Sequence, residues 1–284
     1  MDIVRCIDET FDLNATLSYQ LYIQIGLDGL SFCVLNTVNN KFISLVHYPF
    51  DKGINPEVIF ENYEEIISKD ELLNKKFKSV YSIYNSNKYS IVPNELFEVK
   101  HSKLFFEYNH ILSKLDELHY TKLKNIEATV VFSVPNQFTN PLLHKFNSCE
   151  IHSKATPFIE KGIELSNKNK AAKYYLLNFD NENINIIVLN KSKLLLYNSF
   201  HYYADADILY YLHNIAKQIN WDVKNIEIIC YGNISKTDSI LKSLLPSFKS
   251  VKLQTFDKEV VYSYTFNKVN LLKFYNLLNL YRCV

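Results

Sequence analysis

A pattern of three short apolar strands occurs twice in this chain. Tyr19, Leu21, Ile23 and Ile25, then Leu30, Phe32 and Val34, then residues 42–46 form the first set. Residues 174–179, 184–189 and 194–197 form the second. The links within each set are too short for helices, so each set reads as two tight hairpins, a β-meander. Asp28-Gly29 and Asn39-Asn40 supply turn residues that tolerate positive φ. Mixed helical and strand-like segments follow each meander. Such a chain is constrained to two similar α/β domains facing a cleft. They are expected at residues 1–166 and 170–284, with the polar stretch Asn167-Lys168-Asn169-Lys170 at the boundary.

Composition narrows the partners. Across 284 residues, 31 basic and 30 acidic side chains leave a net charge of +1, without the basic surplus that displaces counterions from nucleic acid. Lys75, Lys76 and Lys78 are expected at a helix end, where cations suit the dipole. The five cysteines are scattered without a C-x-x-C pair, Cys33 and Cys230 reading as core residues of a protein in a reducing compartment. The acidic N-terminus carries no apolar signal segment, and no apolar run reaches membrane-span length. The expected address is the cytoplasm. The expected partner is another protein, a homodimer being one arrangement, with no cofactor and no nucleic acid.

Further strands are expected at residues 80–84, 89–92, 128–134, 150–152, 226–231 and 251–256. Helices are expected at 55–68, 71–77, 95–118, 137–146, 156–166, 205–220, 239–245 and 271–281.

This organisation resembles the actin-like ATPase fold, a duplicated ribonuclease H-like architecture. Sugar kinases, heat-shock chaperones and the bacterial pilus and division assembly ATPases share it. The chain is similar, more specifically, to an uncharacterised Bacteroidota family of that fold. The resemblance lies in Leu30-Ser31-Phe32 after the Asp28-Gly29 turn, Val92-Pro93-Asn94-Glu95-Leu96-Phe97, Val131-Phe132-Ser133-Val134-Pro135 and Asp207-Ile208-Leu209-Tyr210-Tyr211-Leu212. These motifs are structural rather than chemical. The resemblance spans nearly the whole chain and implies an α/β fold of two domains. Each would open with a three-stranded antiparallel meander in a mixed sheet. It implies no assigned activity.

The resemblance also implies where nucleotide would bind. ATP-binding members place a D-x-G turn at the end of the first strand of each half. There the glycine lets backbone N–H groups approach phosphate, and the carboxylate holds magnesium or its waters. The matching positions here are Gln24-Ile25-Gly26 and Asn178-Phe179-Asp180. The first keeps the glycine and loses the acid; the second carries an amide for the acid and Asp for the glycine. A glycine pair that meets adenosine matches Tyr231-Gly232-Asn233, half retained. An amide still accepts a hydrogen bond, but charge-assisted bonds are roughly twice as strong, and Asp180 would repel phosphate. Asp28 and Asp180 could replace the missing acids from neighbouring positions, although both also suit plain hairpin turns. Gln24, Gly26, Asp28, Asn178, Asp180 and Gly232 are therefore the candidate, vestigial site.

Other constellations favour structural readings. Asp205 and Asp207 are expected to cap a helix and fill its first turn rather than hold a metal. Cys149 and His152 are neighbours without the surroundings of a cysteine hydrolase. Walker, G-x-S-x-G and G-x-G-x-x-G motifs are absent from the sequence. The apolar stripe Leu271, Phe274, Tyr275, Leu278 and Tyr281 suits core packing over a membrane-surface helix. The expected function is a non-catalytic interaction or scaffold component. The alternatives are a divergent ATPase or kinase and a peripheral membrane assembly protein.

Overall fold

The computed structural model describes residues 3–51, 53, 55–168, 173–180, 182–256 and 259–284. The chain divides into two compact units. The first holds residues 1–157, 257–268 and 276–284, the second residues 158–256 and 269–275. Of the expected boundary stretch, Asn169 and Lys170 lie outside the described residues.

The first unit begins with β1 (Val4–Ile7), followed by the meander β2 (Tyr19–Gly26), β3 (Gly29–Asn36) and β4 (Lys41–Pro49). Helix α1 (Pro56–Lys69), β5 (Ser79–Tyr84), β6 (Tyr89–Pro93), α2 (Ser102–Glu107), β7 (Asp116–Lys122), β8 (Ala128–Pro135), α3 (Asn136–Lys145) and β9 (Glu150–Ser153) follow. One mixed sheet runs β1-β4-β3-β2-β5-β9, and β6-β8-β7 form a second, three-stranded sheet. β2 is antiparallel to β3 and parallel to β5, at the centre of the sheet. Its buried positions outnumber those of the half-exposed strand that its alternation suggests, because both faces are covered.

Helix α4 (Ala155–Lys168) leads on, most of it in the second unit. That unit is built on a second meander, β10 (Lys173–Asp180), β11 (Asn183–Asn190) and β12 (Lys193–His201). Then come α5 (Asp205–Gln218), β13 (Ile226–Gly232), α6 (Ser239–Leu244) and β14 (Ser250–Leu253). The strand order is β12-β11-β10-β13-β14, the last three strands running parallel. Ile208, Leu212 and Ile215 of α5 and Leu244 of α6 close the core over Leu177, Ile186 and Ile228. The chain ends with β15 (Val261–Tyr262), parallel to β4 in the first unit, and α7 (Tyr275–Asn279) between two 3-10 turns.

Several expected elements come out differently. Residues 71–77 form turns, because the Asp70 carboxylate takes the amides of Leu72 and Leu73 (2.8 and 3.2 Å) and is itself held by Arg5 and Tyr48. Helix between 95 and 118 is confined to a 3-10 turn and α2, and β7 begins at Asp116. The segment 271–281 is 3-10, α and 3-10 in turn, with Phe274, Leu277, Leu278 and Leu280 buried.

Buried charge ties β1 to the meander. Asp8 is 2.7 Å from Lys41 and accepts two hydrogen bonds from Thr10. Burial alone would raise its pKa, but Lys41, Ser263 and Thr10 overcome that and hold the carboxyl far below its usual range. A depressed folded pKa gives stability that is complete above the unfolded value, about 4, and is lost as pH falls toward the folded one. Acid titration of unfolding should therefore show stability dropping below roughly pH 4. Asp8→Asn should start less stable and lose less over the same range; an unchanged acid slope would refute this assignment.

Candidate functional site

The first expected turn lies at the carboxyl end of β2. Gly26 pairs with Gly29, so the loop residues are Leu27 and Asp28, one position earlier than the expected Asp28-Gly29. Gln24 is half-buried within β2, paired with Ser31 on one side and Ile83 on the other. Parallel pairing brings the end of β5 alongside, where the Asn85 amide donates to the Ile25 carbonyl at 2.7 Å. The Asn85 side-chain amide donates to Asp28 Oδ1 at 3.4 Å. A Cβ on Gly26 would lie 2.7 Å from Asp28 Oδ1 and 2.9 Å from Asn85 Cβ. The approach to backbone that a glycine opens for phosphate is taken here by the chain's own carboxylate and amide.

The second turn lies at the carboxyl end of β10. There Asn178 and Phe179 pair in parallel with Tyr231 and Gly232 of β13, so the residues matching phosphate and adenosine motifs do meet. Their packing is close. Gly232 has φ +84, and a Cβ on it would lie 2.1 Å from the Phe179 carbonyl oxygen and 2.5 Å from Asn178 Oδ1. The Asn233 amide donates to that same carbonyl at 2.8 Å. The Asn178 carbonyl accepts from Asn185 at 3.4 Å, and Ser199 donates to Asn185 in turn. Asn178 thus joins a buried network through its main-chain carbonyl, while its Oδ1 occupies the space beside Gly232.

Negative charge gathers beside this turn. Burial first, then Asp180, Asp205 and Asp238, push the Tyr202 phenol upward in pKa. Glu182 lies 3.8 Å from His201. Among the described residues, no group of three or more His, Cys, Asp or Glu side chains is placed to hold a metal ion.

At α5 Asp207 fills the first turn as expected, but the cap expected of Asp205 falls elsewhere. Ala204 occupies the N-cap, and the Asp207 carboxylate accepts from the amides of Tyr203 and Ala204 (2.9 and 3.0 Å). Asp205 instead accepts from Ser239 of α6 at 2.6 Å. Burial pushes the Cys149 thiol up to about 12 and drops the His152 imidazole to about 4. That is the reverse of an activated thiolate–imidazolium pair. Between α1 and α3 lies a groove of about 740 Å³ lined by Phe60, Glu64, Gln137 and His144 among others. Asn85, Asn185 and Tyr202 were not foreseen as parts of the two turns. Asn85 stands in an Asn-Ser-Asn run that signals only a turn, and its place beside Gly26 follows from β2–β5 pairing.

Comparison with known proteins agrees with this architecture. One solved structure, a protein from Bacteroides thetaiotaomicron VPI-5482 with actin-like ATPase fold and unknown function, superposes with a TM-score of 0.81. It is 22% identical over 95% of this chain and 99% of that one. The PilM–PilN type IV pilus biogenesis complex superposes at TM-score 0.63, with 11% identity over 92% of this chain and 97% of that one. The fold is therefore actin-like. No curated protein matches in sequence. The family described as "Protein of unknown function (DUF3822)" matches residues 8–251, and the chain belongs to it.

Proposed function

We propose that this member of a family of unknown function uses the actin-like fold to bind another protein and does not hydrolyse ATP. One observation carries the proposal: Asp28 and Asn85 fill the space beside Gly26, while amides stand at positions 24 and 178. A magnesium-bound triphosphate needs fixed acids for its metal and open backbone for its phosphates. Asp180, Asp205 and Asp238 add repulsion at the second turn. A protein ligand is supported by likeness of fold to PilM, which is known in complex with PilN. The terminal apolar stripe is largely buried within the protein, which speaks against its lying on a membrane. Among the described residues no helix is long and apolar enough to cross one. Cys6, Cys33, Cys149 and Cys230 are buried free thiols, which suits action in the reducing cytoplasm.

Thermal melting with magnesium-ATP tests the reading. A working site at a hundred times its dissociation constant would add about 2.7 kcal/mol, a rise of roughly 5 °C or more at 2–4 °C per kcal/mol. The expected result is no shift beyond about 1 °C on that scale. A rise of the larger size, absent with magnesium alone, would overturn the proposal.

A further inference from the structure

Helix α2, which covers the three-stranded sheet of the first unit, is apolar on its outer face as well as its inner one. On the inner face Phe106 is buried beside Val92 and Val131, with Phe105 and Leu112 packed against them. His110 Nε2 donates to the Tyr89 carbonyl of β6 at 2.7 Å, which fixes the turn after α2. The amides of Tyr108 and His110 donate to the carbonyls of Leu104 and Phe106 (3.1 and 3.0 Å), so the helical path runs on to residue 110. Leu104, Tyr108 and Ile111 recur along this path at helical spacing, on the side away from Phe106. They are 68, 88 and 85% exposed. Leu96, Val99 and Leu115, each more than half exposed, belong to the same stretch of chain. A surface helix normally turns a polar side to water. At roughly 100 Å² for each large apolar side chain, the six expose about 600 Å², the upper end for the largest patch of an ordinary monomer.

Charge limits what fits this face. Residues 95–115 hold three acids (Glu95, Glu98 and Glu107) and three lysines (Lys100, Lys103 and Lys114), a net charge of zero. Lys100 lies 2.7 Å from Glu98, and Lys103 lies 3.8 Å from Glu107. A neutral patch has no field to draw in a strongly charged partner and none to repel its own copy. We propose that a second copy of this chain covers the face, the two α2 helices packing antiparallel across a two-fold axis. Lysines stand at the start of α2 and Glu107 at its end. Antiparallel packing sets Lys103 of one copy near Glu107 of the other and opposes the helix dipoles, whereas parallel packing sets lysines against lysines. Two patches together bury roughly 1,200 Å², the low end for specific interfaces, so dissociation is expected on the order of 10–100 µM. Each copy spends the face on its counterpart, so assembly stops at two. This contact stands apart from the nucleotide turns and from any second protein.

Sedimentation equilibrium of the full chain from about 5 to 300 µM, which spans that constant, should show a monomer–dimer equilibrium. Tyr108→Glu and Ile111→Glu each bury a charge in an apolar contact and should weaken the dimer roughly tenfold or more. Both positions are exposed in the monomer, so dilute samples of either variant should melt within about 1 °C of wild type. Val38→Glu alters an exposed apolar residue outside the patch and should leave the dimer unchanged. Lys103→Glu and Glu107→Lys should each weaken the dimer, and the double exchange should restore it. A chain that stays monomeric at about 300 µM would overturn the proposal. So would a dimer indifferent to both glutamate variants at positions 108 and 111, one weakened equally by Val38→Glu, or growth beyond two. Single charge reversals without effect would overturn the antiparallel sense.

Discussion

Gly232→Ala is expected to destabilise the protein by about 3 kcal/mol or more while leaving its response to nucleotide unchanged. Two costs add. A left-handed backbone costs a residue with a Cβ roughly 1–2 kcal/mol, and Gly232 sits at φ +84. The new methyl would also lie 2.1 Å from the Phe179 carbonyl oxygen, inside any real contact distance. Forcing apart packed backbone costs about 1–3 kcal/mol. The atoms in the way are not a flexible side chain but the backbone of β10, locked by its ladders to β11 and β13. Melting should fall by roughly 6–12 °C at 2–4 °C per kcal/mol. The same glycine would serve a different purpose if it met adenosine. Its substitution would then abolish a ligand-induced shift with little effect on the unliganded protein. A Gly232→Ala protein that melts within about 2 °C of wild type would show that the glycine is not held there by packing.

The meanders were legible because their information is local. Alternation sets the faces, and Asn40 takes the positive φ (51°) that its turn requires. The amphipathic pattern of Ile208, Leu212 and Ile215 placed α5 correctly. What failed depends on residues far apart. β1 and β15 are only four and two residues long, and both exist through pairing with β4 rather than through their own propensity. β7 reads Asp-Glu-Leu-His-Tyr-Thr-Lys, too polar to announce a strand, and it is extended because β8 pairs with it. At the site, the loss of acids at positions 24 and 178 was visible in the sequence. The filling of the space beside Gly26 was not, since it requires Asn85 to arrive on a parallel strand.

Phe138→Ala is expected to cost about 3–5 kcal/mol, the range for deleting a buried phenyl ring. Phe138 is 1% exposed and, with Thr139 and Leu142, forms the buried face of α3 in the first unit. Its ring meets Phe60 and Tyr63 of α1 edge-on at 4.9 and 5.2 Å, and Tyr84 of β5 at 5.3 Å. Each such pair adds about 0.5–1.5 kcal/mol beyond area burial, so truncation removes three aromatic contacts along with the transfer energy. Collapse into the void is hindered, because Tyr63 is anchored by the hydrogen bond from its hydroxyl to the Phe138 carbonyl (3.0 Å). A small apolar gap, about 10 Å³, already adjoins the ring between Ile25, Ile83 and Leu142. Truncation should enlarge it, and cavity cost grows by about 24 cal/mol per Å³. Phe138→Leu keeps most of the volume and should cost about half as much. Chemical denaturation of the two variants measures both costs. A leucine variant as unstable as the alanine one would mean that aromatic geometry, rather than filled volume, holds α3 against α1 and β5.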